Sequence, residues 1–142
     1  MKVVSVLLFV FALFVIIFPQ FYTCQAHGFA IELPKGTIPM RCLYTAHALA
    51  GLGAILAVMA SGLWFFRQRE TRIILSILGI ITGLFMLLLV TRVGLFGIGI
   101  CVNPDMPCVI YMCPAIYMVA PIIMVTSLVG LLLSLRARLG MS

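Results

Sequence analysis

Five cysteines, Cys24, Cys42, Cys101, Cys108 and Cys113, fall in or at the mouths of just two of the gaps between the apolar stretches of this chain. Thiols can bridge as disulfides, pass electrons by exchange, or bind soft metal ions. The most local bridge is Cys101 with Cys108, because the enclosed Val102-Asn103-Pro104-Asp105-Met106-Pro107 is rich in turn residues and brings the two ends together. Cys24 with Cys42 would then close the first gap, and Cys113 is the odd thiol, the candidate for an unbridged or redox-active role. A cross-loop bridge such as Cys42 with Cys108 is the main rival.

Redox catalysis usually relies on CxxC, which brings two thiols within one turn. Here six residues separate Cys101 from Cys108 and four separate Cys108 from Cys113, so a thiol relay lacks its signature. A metal reading rests on soft donors at the same places: Met40 beside Cys42, Met106 beside Cys108, Met112 beside Cys113, with His27 and His47 nearby. Thioether and thiolate suit Cu(I). Methionine is also ordinary apolar filler, so the metal candidates narrow to Met40, Cys42, His47, Met106 and Cys108. His47 falls one turn inside an apolar run, where a buried hydrogen bond is the expected role. No catalytic triad or phosphate loop is visible.

These residues must be positioned by membrane helices. Of 142 residues, 65% are hydrophobic and 8% charged, and the mean hydropathy is +1.32. Such a composition lies outside the soluble range. Four apolar runs predict helices over about 3–18, 43–66, 73–91 with a possible extension to 100, and 114–135, in a single domain over 1–142. The first run also has the form of a signal peptide, but no small-x-small cleavage site follows it, and a retained span is the reading adopted. Pro114 suits a first helical turn. Small residues at Ala50 and Ala54, and at Gly79 and Gly83 in a GxxxG, predict a close contact between the second and third helices.

Lys2, Arg67, Arg69, Arg72, Arg136 and Arg138 lie at one end of the predicted spans, with Lys35, Arg41 and Arg92 at the other. Basic loops stay cytoplasmic, so both termini are expected inside and the cysteine-bearing loops outside. The net charge of +6 is accounted for by basic helix ends beside an anionic leaflet and calls for no nucleic acid.

In Pro39-Met40-Arg41-Cys42-Leu43-Tyr44-Thr45-Ala46, and in Ile98-Gly99-Ile100-Cys101 leading to Asp105-Met106-Pro107-Cys108, the chain resembles a family of small four-helix bacterial and archaeal membrane proteins. They are catalogued as a domain of unknown function. The resemblance implies a Cys at the start of the second helix, a Cys pair before the fourth, and an accessory subunit beside transporter components. The expectation is therefore an all-α polytopic membrane protein, a four-transmembrane-helix bundle with short disulfide-stapled extracytoplasmic loops. The expected role is a structural or accessory subunit of a larger, transporter-associated membrane assembly, more a non-enzyme than an enzyme, with the bilayer and a membrane protein or a second copy as expected partners. No cofactor is predicted. A thiol–disulfide oxidoreductase linked to quinone and a copper or other soft-metal binding protein are the alternatives.

Overall fold

A computed structural model describes the chain except for residues 1, 25, 27, 29–30, 34–35, 39–40, 67, 91–100, 102 and 139–142. Four helices, α1 (Lys2–Phe21), α2 (Arg41–Phe65), α3 (Arg69–Leu89) and α4 (Cys113–Arg138), form an antiparallel bundle. Each is long and apolar enough to cross a membrane. The architecture is the expected multi-pass four-helix bundle, with one small addition. Between α1 and α2 the strands β1 (Ile31–Leu33) and β2 (Gly36–Ile38) pair as an antiparallel hairpin, with Ile31 opposite Ile38.

The helices run beyond several expected bounds. α1 continues through the buried Pro19 to Phe21; a proline in the last turn forfeits one backbone bond but does not interrupt a long helix. Helical structure leading into α4 begins before Pro114, through a π-helical turn over Cys108–Met112 in which the Cys113 N–H donates to the Cys108 carbonyl. In regular α geometry the Pro114 ring would crowd the carbonyl four residues back, and the wider turn gives it room. The possible extension of α3 to residue 100, like Arg92, lies outside the described residues.

Helix pairing differs from the expected hairpin contact. The small residues of α2 meet α1: a Cβ added at Gly53 would stand 2.8 Å from Ile16 Cγ1 and 3.1 Å from the Ala12 carbonyl oxygen. The GxxxG of α3 meets α4: a Cβ at Gly79 would strike Ser127 Oγ at 2.5 Å, and one at Gly83 would reach Met124 Cγ at 2.6 Å and the Ala120 oxygen at 3.2 Å. Backbones that approach this closely exchange a hydrophobic drive, which lipid does not supply, for van der Waals contact. Ala50 is half-buried and Ala54 is exposed, so the expected face of α2 is rotated away from α3.

Large apolar residues point outward on every helix, including Phe9, Ile55, Ile81 and Met118, while Ala12, Ala46, Leu49, Leu56, Ala60 and Ile123 fill the interior. The end holding the helix α1 start and α2 finish is tied by the Ser5 hydroxyl, which donates to the Ala60 carbonyl, and by Lys2 Nζ, 5.9 Å from the centre of the Trp64 ring. The cysteines gather at the opposite end.

Candidate metal centre

Three separate segments build one site. After α1, the Ala26 N–H donates to both the carbonyl (3.1 Å) and the hydroxyl oxygen (3.2 Å) of Thr23, a tight turn that points the intervening Cys24 inward. Gly28, at φ +78°, takes the left-handed backbone conformation that glycine adopts without steric cost. Cys42 stands in the first turn of α2, and its neighbour on the bundle is secured by Gln20 Nε2, which donates to the Ala46 carbonyl at 3.2 Å. Before α4, Asn103 Oδ1 accepts from the Asp105 N–H at 3.2 Å, and the Met106 N–H donates to the Asn103 carbonyl. This is the compact Asn-Pro-Asp turn anticipated from the sequence. It delivers Cys101 and Cys108 to the same place.

Aromatic rings fix the register between these segments. Phe14 stacks on Phe18 within α1 at 4.7 Å between centroids, Phe18 meets the tilted ring of Tyr22, just past the end of α1, at 4.7 Å, and Tyr22 meets Tyr111 of the π-helical turn at 5.2 Å. Tyr22 lies two residues before Cys24, and Tyr111 three after Cys108.

The Sγ atoms of Cys24, Cys42, Cys101 and Cys108 all lie within 4.8 Å of one another. Cys24 Sγ is 3.4 Å from Cys101 Sγ and 3.4 Å from Cys108 Sγ. A disulfide needs about 2.05 Å. Cys24, Cys42, Cys101 and Cys108 are all unbridged, so the expected bridges Cys101–Cys108 and Cys24–Cys42, and the rival Cys42–Cys108, are not formed, and the four sulfurs meet as a group instead of two loop-local pairs. Cys24, Cys42 and Cys108 are fully buried and Cys101 is half-buried. The Cys24 N–H donates to Cys42 Sγ at 3.4 Å, the kind of bond that steadies a thiolate.

Burial pushes the Cys24 thiol up from its ordinary value, with a further rise from its hydrogen bond to Cys42. Burial also pushes Cys101 up to about 12. With nothing bound, both thiols are neutral at physiological pH, which suits a site whose protons are displaced by a cation more than one presenting a reactive thiolate.

Of the other candidates, Cys113 opens α4 half-buried and outside the group of four. Met106 is half-buried and packs against the core, where Met112 is fully buried. His47 is exposed, not in a buried hydrogen bond as expected, and the described group contains no histidine. His27 and Met40 lie outside the described residues. In the sequence, neighbouring methionines mark Cys42 and Cys108 as donors while loop spacing marks Cys24 and Cys101 for bridges; the end of the bundle that all four share is the signal that unites them.

Residues 3–133 match the family described as a domain of unknown function (DUF4418), and the chain belongs to that family. No curated protein and no solved structure matches it.

Proposed function

We propose that this member of the DUF4418 family is a multi-pass membrane protein that binds a soft metal ion through Cys24, Cys42, Cys101 and Cys108 and serves as a structural or accessory subunit of a membrane assembly. The observation that carries this reading is the convergence of four sulfurs from three segments within 4.8 Å. Thiolates in this number are donors for soft or borderline ions. The distribution of Lys and Arg favours cytoplasmic termini and an extracytoplasmic metal site. The accessory role is supported by small residues on the outer face of α2, where Gly51 has open space beside it and Ala54 is exposed.

Elemental analysis of protein purified in detergent without exposure to air tests the reading. Metal should copurify at a fixed ratio and be lost in Cys42→Ser and Cys108→Ser. Metal-free protein whose four cysteines map as disulfides would contradict it.

A second reading is thiol–disulfide exchange, favoured by one geometric fact: Cys24 Sγ contacts two other thiols at equal distance. Joining two of these thiols would release two protons and two electrons, the latter to a membrane quinone. Trapping a reversible disulfide whose reoxidation requires added quinone would select this reading over the metal one.

A further inference from the structure

We infer that the four cysteines form a closed tetrahedral site for a single zinc(II) ion, in preference to Cu(I) or an iron–sulfur cluster. The inference rests on the metal-binding reading above and specifies its ion. Size is the first argument. A tetrahedron with metal–sulfur bonds of about 2.3 Å has sulfur–sulfur edges of about 3.8 Å. The observed separations, 3.4 Å for two pairs and none above 4.8 Å, bracket that edge, so adjustments of well under a bond length would seat one ion. A cluster interposes bridging sulfides between its irons and holds its cysteines farther apart than one ion does.

Ligand number is the second. Four convergent thiolates in tetrahedral array are the donor set of zinc or iron–sulfur centres. Four thiolates fill a tetrahedral set with no open position, as in structural zinc sites, and three of the four are fully buried.

Charge is the third. A divalent ion with four thiolates carries a net charge of minus two, which a buried site must offset. Cys42 lies in the first turn of α2, and Cys108 in the first turn of the helical segment that leads into α4. Both therefore sit near the start of a long helical segment, where the helix dipole favours negative charge. Arg41 adjoins Cys42, and the Cys24 N–H bonds to its sulfur. The surroundings are arranged for an anionic complex.

The ion would join the turn after α1 to the starts of α2 and α4, and, being redox-inert, would keep four thiols from oxidising. The test uses the full chain in detergent micelles, stripped with a chelator under reductant and titrated with Co(II), then Zn(II). The expected result is one equivalent of Co(II), with the visible ligand-field bands of tetrahedral thiolate coordination, displaced by one equivalent of Zn(II). Ser at any of positions 24, 42, 101 or 108 should abolish that spectrum, and Cys113→Ser should retain it. The stripped wild-type titration keeps the test decisive if a variant fails to fold. Iron with acid-labile sulfide in the purified protein, preferential retention of Cu(I), or an unchanged Co(II) spectrum in Cys101→Ser would overturn the single-zinc assignment while leaving a soft-metal site standing. Failure to bind any metal would overturn both.

Discussion

At the scale of single residues, four converging sulfur atoms set the chemistry of the site. Burial raises Cys24 and takes Cys101 from an ordinary 9.0 to about 12. A raised thiol stays protonated at neutral pH, so its reactivity appears only as the solution becomes strongly alkaline. In reduced, metal-free protein at pH 8, alkylation of Cys101 should be slower than in the denatured chain by on the order of a thousandfold from thiolate fraction alone. Peptide mapping after timed alkylation measures this, and rapid modification at pH 8 would show a reactive thiolate instead. His47 illustrates a limit on reading residues from sequence. The bundle is apolar inside and out, so hydropathy did not mark which face of α2 turns inward, and the structure turns His47 out.

At the scale of elements, small residues decide which helices touch. The α1–α2 contact closes on Gly53, where an added methyl would meet a backbone oxygen as well as a side chain. Gly53→Ala should destabilise the bundle by about 1–3 kcal/mol. Gly51, two residues away, has nothing within 4 Å of an added Cβ, so Gly51→Ala should be neutral or gain up to about 1 kcal/mol from helix propensity. Thermal unfolding of the two variants in the same detergent compares them directly; equal losses would refute the pairing of α1 with α2. The four spans were legible because each is a run of apolar residues with charged ends. Their pairing was not, because α2 and α3 both carry small residues and a short connection makes them look like the obvious neighbours. The π-helical turn at Cys108–Met112 left no sequence mark beyond Pro114, whose ring it accommodates.

At the scale of the whole molecule, Lys2, Arg72 and Arg136 mark one end of the bundle and the thiol group the other, and this asymmetry predicts which end faces the cytoplasm. Cysteines introduced on a background lacking the native five report it: an impermeant maleimide applied to intact cells should label Asp105→Cys and not Gln68→Cys, both positions being exposed. The reverse pattern would invert the orientation. That the cysteines share one end was legible, since both gaps open the same way in a four-span chain. Their four-way convergence was not, because it depends on how three turns fold over the helix ends, and spacing along the chain favoured local pairs.

Whether four sulfurs surround one metal ion, as proposed, can be read from X-ray absorption at the metal edge of the purified protein. The expected spectrum shows a single shell of four sulfur neighbours at about 2.3 Å and no metal neighbour beyond it. A shell containing nitrogen or oxygen, fewer than four sulfurs, or a second metal would contradict it.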